Sequence, residues 1–145
     1  MPASTLITYD DLSEQIGKGV HIWNTHALKW ALTNAAPNAA THTVLTDVTQ
    51  IAATGGYTAG GYAVAGTTYT EAGGVATLNH TDLVITAAGG SVGPFQYAVL
   101  YNSSATSPLN ALIGYLNYGS ALTLADTETL TLDLGAATGV VQVTS

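Results

Sequence analysis

Gly89-Gly90-Ser91-Val92-Gly93 is the one string in this chain whose residue types and spacing match a catalytic device, the G-x-S-x-G nucleophile elbow. In that elbow a strained turn between a strand and a helix lifts the serine hydroxyl toward a histidine that follows it in the chain. Here Pro94 and the strand-like Phe95-Gln96-Tyr97-Ala98-Val99 come next, and His21, His26, His42 and His80 all precede Ser91. The string reads as a glycine-rich turn, and hydrolysis is not expected of it. None of the four histidines has the i, i+4 partner of a helical metalloprotease site. A metal site could still assemble in space from His80, Asp82 and a distant partner. Hydrogen-bonded histidines are the plainer expectation, so neither a metal nor a cofactor is assigned. Asp10-Asp11 reads as first-turn chemistry of a helix, and Asp126 with Glu128 as turn chemistry.

Phosphate chemistry finds even less support. Gly17-Lys18 lacks the earlier glycine of a phosphate loop, and Gly55-Gly56 with Gly60-Gly61 misses the dinucleotide fingerprint. The absence of arginine removes the usual phosphate clamp. Asn79-His80-Thr81 and Asn102-Ser103-Ser104 match the glycosylation triplet, which chance also produces.

Composition narrows the function classes further. The chain is 8% charged and 47% hydrophobic, with two lysines, nine acidic residues and a net charge of -7. A typical soluble domain is about 25% charged, so much of this exterior must be neutral. An excess of acid repels phosphate backbones and anionic lipid, which disfavours nucleic-acid and membrane-surface roles. Without cysteine there is no thiol catalysis, cysteine zinc site or disulfide scaffold. Every apolar run stops well short of the ~18 residues of a spanning helix. Asp10, Asp11 and Glu14 stand where a secretory signal would be basic and then apolar, so a mature soluble chain is expected.

The elements that must position these residues follow from periodicity. Thr8 as N-cap, Asp11 three positions on, Ile7 and Leu12 as a staple, and the stripe Leu12, Ile16, Val20 predict a short helix over about residues 9 to 18. From His26 the period changes to two, with Leu28, Trp30 and Leu32 on one side and Ala27, Lys29 and Ala31 on the other. Residues 34 to 43 read as a loop, and Val44 to Ile51 fits a helical turn or a short strand equally. The Tyr62, Val64 alternation within Tyr57 to Tyr69 gives a weak strand. Further strands are predicted at Val75 to Asn79, Leu83 to Ala87, Phe95 to Asn102, Ala111 to Tyr118, Thr127 to Leu134 and Val140 to Val143. Phe95, Tyr97, Val99 and Tyr101 are expected on one core-facing side of their strand. Together these predict an all-β fold, an antiparallel β-sandwich or jelly roll with a short N-terminal helix. Residues 1–25 form an N-terminal arm with that helix, and residues 26–145 the β-sandwich domain.

A resemblance extends this reading. The runs Leu28-Lys29-Trp30-Ala31-Leu32-Thr33-Asn34-Ala35-Ala36-Pro37, Gly55-Gly56-Tyr57-Thr58-Ala59-Gly60-Gly61, Gly93-Pro94-Phe95-Gln96-Tyr97-Ala98-Val99-Leu100-Tyr101-Asn102 and Leu124-Ala125-Asp126-Thr127-Glu128-Thr129-Leu130 follow one another through most of the chain. In them the chain resembles small virion structural proteins of tailed bacteriophages, which carry capsid decoration or tail-fibre labels. The resemblance implies a glycine in the Asp126-Thr127-Glu128 turn, where this chain has threonine, and it brings no catalytic residues.

What the resemblance implies is a non-enzymatic capsid decoration, or cement, protein on the capsid surface of a virion. Its partners would be the major capsid protein and copies of itself, as a homo-oligomer, most simply a trimer. The alternative is a tail-associated or fibre-like protein whose tyrosines meet carbohydrate on a host surface. A subunit repeated in a lattice tolerates a weakly charged exterior because its neighbours cover it. Strand edges usually carry charge or proline, and lysine is absent after Lys29, so some edges are expected to pair with neighbours. For attachment the arm offers Leu6, Ile7, Leu12, Ile16, Ile22 and Trp23, whose other use would be packing beneath the chain's own sheet.

Overall fold

The computed structural model describes residues 6–132 and 139–144. Antiparallel pairing runs throughout, and strand residues far outnumber helical ones. The alternating run from Leu28 forms β2, after a two-residue strand β1 (Ile7–Thr8) and a six-residue helix α1 (Leu12–Gly17). A 3₁₀ turn (Leu45–Asp47) precedes β3 (Tyr62–Ala63), β4 (Thr68–Ala72), β5 (Val75–Asn79) and β6 (Leu83–Thr86). The two longest strands follow, β7 (Val92–Asn102) and β8 (Leu112–Leu124), and then β9 (Thr129–Leu132) and β10 (Val141–Thr144). β2 itself covers Leu28–Thr33. The strands assemble as a five-stranded sheet β1-β8-β7-β2-β3, a three-stranded sheet β10-β5-β4 and a pair β6-β9.

The five-stranded sheet is covered on both faces, which explains why so much of it is apolar. Leu28, Trp30 and Leu32 of β2 join Ala98 and Leu100 of β7 and Ile113 and Leu116 of β8 on one face. Against them pack Leu78 and Val141 of the three-stranded sheet and Ile85, Leu130 and Leu132 of the pair, and this is the main core of the sandwich. On the opposite face Ala31, Val99, Tyr101 and Leu112 meet Tyr9 from the arm and Leu45 and Val48 around the 3₁₀ turn. The alternation expected of β2 is therefore real, but both of its faces are buried.

Three local expectations change in the folded chain. The helix is shorter than residues 9 to 18, and its N-cap is Asp11 rather than Thr8. Thr8 pairs with Gly114 as part of β1, so its backbone is committed to the sheet before the helix starts. The Asp11 carboxylate accepts instead from Gln15 Nε2 at 3.0 Å. Phe95, Tyr97, Val99 and Tyr101 do not share one face, because Phe95 faces the main core while Val99 and Tyr101 face the second. The cause is an irregularity in the β7–β8 register: from Tyr97↔Asn117 to Phe95↔Leu122, β7 moves two residues and β8 five. Gly119, at φ +82, lies in the excursion and allows the reversal without a Cβ clash. Val44 to Ile51 resolves into the 3₁₀ turn flanked by the bridges Val44↔Ala111 and Thr33↔Gln50. Val75–Asn79 has its expected bounds, and the strand expected from Thr127 begins at Thr129. Its expected last residues, Asp133 and Leu134, lie outside the described residues.

The arm shares the sandwich core. β1 lengthens the main sheet, and Leu12 and Trp23 belong to the same buried cluster as β2, β7 and β8.

Candidate binding cleft

The register Leu28↔Asn102 places the last residue of β7 beside the first of β2, and Asn102 is fully buried there. Its Oδ1 accepts from the Ser104 backbone N–H at 3.0 Å, which fixes the amide's orientation. Asn102 Nδ2 therefore donates, to His21 Nδ1 at 3.1 Å and to His26 Nδ1 at 2.8 Å. Both ring nitrogens act as acceptors, so each neutral imidazole holds its proton on Nε2. The Ile22 N–H also donates to His26 Nδ1, at 3.3 Å. Two serines complete the clamp: Ser103 Oγ donates to the Ala27 carbonyl at 2.8 Å, and the Ala27 N–H donates to Ser104 Oγ at 2.9 Å. Burial is the main reason that the His21 pKa falls to about 4, with His26 adding to the effect and Asp11 opposing it.

This clamp holds residues 21 to 26 against β4 and leaves a cleft of about 220 Å³ between them. Ile16 of α1, His21, Ile22, Trp23, Asn24 and Tyr69 of β4 line it. The Trp23 ring meets Tyr69 edge-on at 5.1 Å and lies 5.5 Å from the His21 ring. Trp23 is 3% exposed, and its Nε1 is buried without a hydrogen-bond partner, as is His21 Nε2. With the tautomer set by Asn102, both unpartnered atoms are N–H donors. No side chain lining the cleft carries a formal charge at neutral pH. Both donors are shut off from water behind the lining of the cleft, which as it stands suits an uncharged, largely apolar group.

The residues that looked chemical are engaged elsewhere. His80 Nε2 accepts from the buried indole of Trp30 at 3.1 Å, and His80 Nδ1 lies 2.8 Å from the Thr81 carbonyl, to which it donates. Both ring nitrogens are used, and burial lowers the pKa of the ring. Among the described residues no group of three or more His, Cys, Asp and Glu is placed to hold a metal ion. Ser91 lies in the exposed turn before β7, with no helix after it, and its carbonyl accepts from Thr54 Oγ1 at 2.9 Å. Asn102 of the second glycosylation triplet is inaccessible.

Of the six attachment candidates, Ile16, Ile22 and Trp23 come together at the cleft. Leu12 and Trp23 are buried in the chain's own core, and Leu6 and Ile16 pack partly against it. Ile7, on β1, is 43% exposed and Ile22, at the cleft, is 48% exposed. Tyr69, 46 residues beyond Trp23, and Asn102, which orients both histidines, were not among the candidates. The local pattern marks Asn102 only as part of a glycosylation triplet and Tyr69 only as the end of a weak strand, because only the folded chain brings them to the arm.

No family model, curated protein or solved structure matches this chain.

Proposed function

We propose that this protein is a bacteriophage virion structural protein, a non-enzymatic capsid decoration protein that bridges major capsid subunits and associates with its own copies as a trimer. The observation that carries the reading is the neutral, partly apolar exterior of a folded sandwich. Ile7, Ile22, Val84 and Leu109 are large apolar side chains standing in water, in a chain with two cations. Burying such groups between subunits contributes about 25 cal/mol per Å² of apolar area, which would strengthen a shell under internal pressure. The resemblance to small phage virion proteins supports the same conclusion.

Imaging of the intact particle by electron cryomicroscopy tests it. The reading expects density for this chain at many equivalent positions over the head, and gel filtration with light scattering expects a trimer in isolation. Density confined to the tail would replace it with the tail-associated alternative. Carbohydrate recognition gains little support here, since none of the eight tyrosines is fully exposed.

A further inference from the structure

We propose that the cleft and the adjoining edge of β4 form a socket for an extended, uncharged peptide segment of a partner chain, which adds as a strand to β4 and seats one apolar side chain beside Trp23 and Tyr69. This deepens the adhesion reading by naming where a partner is held and what chemistry is recognised.

Four observations converge on it. Among the described residues β4 has β5 as its one partner, so one side of a five-residue strand keeps its N–H and C=O groups unpaired. Neither lysine nor proline occurs in Thr68–Ala72, and its one charge, Glu71, is turned back along the hairpin to accept from the Gly74 N–H at 2.8 Å, whereas β1 and β3, the edges of the large sheet, are two residues long. Tyr69 connects this edge with the cleft, because it belongs to β4 and lines the cleft opposite Trp23. At about 220 Å³ the cleft falls below the roughly 300 Å³ at which pockets for small-molecule ligands begin, and it suits a single side chain.

The polar groups select the occupant further. The donors Trp23 Nε1–H and His21 Nε2–H lack partners, and a buried unpaired donor is a standing cost that an acceptor oxygen would remove. A carboxylate is a poor candidate, since the lining holds no cation and the chain carries a charge of -7. A peptide carbonyl is neutral, and in an added strand every second residue turns its carbonyl away from the strand it pairs with. Both nitrogens are shut off from water in the free chain, so a carbonyl reaches them only when the incoming segment parts the side chains that cover them. A second copy of this chain fits less well. Val141 and Val143 of β10, at the opposite edge of the same sheet, are packed into their own core and cannot supply the anchor.

Titration of the isolated full chain with the capped tripeptide acetyl-Val-Leu-Val-N-methylamide, followed by the two indole N–H resonances, tests the socket. The Trp23 resonance should move downfield and saturate, while that of Trp30, already bonded to His80, stays in place. Acetyl-Val-Gly-Val-N-methylamide should bind about tenfold more weakly or worse, because the anchor's apolar area is missing. The rim variant Ile22→Asp, at an exposed position that leaves the core intact, should weaken the leucine peptide by a similar factor. No saturable shift, equal binding of both peptides, or an equal response to methyl glucoside or acetate would overturn the proposal. A Trp23 shift produced by protein concentration alone would also overturn it, by making a second copy the occupant. Failure here leaves the position of the protein on the particle undecided, so the two readings fail separately.

Discussion

Acid should loosen this fold through His21. In the folded chain burial holds the His21 pKa at about 4, against an ordinary 6.5 in the unfolded chain. Between those values the unfolded chain binds more protons, so stability rises with pH across the window. The contribution is complete above about pH 6.5 and is lost progressively as pH falls toward 4. For a fully buried ring the difference corresponds to about 3 kcal/mol. His21 is partly open to water, and screening reduces the expected effect to about 1.5 kcal/mol. Protonation at Nδ1 would also set two donors face to face at Asn102 Nδ2, which releases the clamp on residues 21 to 26. The assay is urea unfolding at a series of pH values from 4 to 8, comparing the wild type with His21→Gln. Glutamine does not titrate and keeps an oxygen for Asn102. His80 shifts in the same direction but is present in both proteins, so the difference between the two curves isolates His21. Asp47 acts lower on the scale: backbone N–H groups of Thr43 and Val44 depress its pKa, so its contribution is present above 3.8 and fades below. If both proteins lose stability with the same slope between pH 4.5 and 6.5, the reasoning about a buried neutral His21 is wrong.

Other substitutions probe the frame that holds the cleft. Gly61→Ala would place a Cβ 1.9 Å from the Trp30 carbonyl oxygen at a backbone φ of +81, and the variant should lose more than about 3 kcal/mol or fail to fold, read by circular dichroism and thermal melting. His80→Leu strands the Trp30 indole N–H at a fully buried position and should cost about 1–3 kcal/mol. In a double-mutant cycle with Trp30→Phe, urea unfolding should return a coupling of about 1 kcal/mol, and zero coupling would remove the bond from the account. Thr127 sits at φ +77, a left-handed conformation that a β-branched residue rarely adopts. Thr127→Gly should therefore raise stability by about 0.5–1 kcal/mol in the same assay, and a loss would show that the threonine side chain matters more than its strain.

That threonine illustrates what can be read before folding. A turn at Asp126-Thr127-Glu128 follows from the chain, but the left-handed φ that Thr127 adopts there does not, because a β-branched residue gives no local sign of it. The strands were also legible: Val75–Asn79 and the alternation of Leu28, Trp30 and Leu32 are local patterns that strand geometry imposes directly. Antiparallel all-β architecture followed from many short strands separated by glycine-rich turns. Local pattern failed where a distant partner intervened. Thr8 could have capped a helix, but pairing with Gly114 took its backbone first. Phe95 and Tyr97 alternate as if on one face, and the excursion in β8 separates them.

By itself, then, the amino-acid order determined a sparsely charged, acidic, cysteine-free chain of short strands. The three-dimensional arrangement decided which apolar side chains are spent inside and which remain available, because burial depends on residues far apart in the chain. Trp23 and Ile22 are adjacent and both apolar, yet one lies beneath Tyr69 of β4 and the other stands at the rim. His21 became a buried donor only because the Asn102 amide, 81 residues away, accepts no other orientation. Periodicity describes one strand or helix at a time, and a cleft exists between elements.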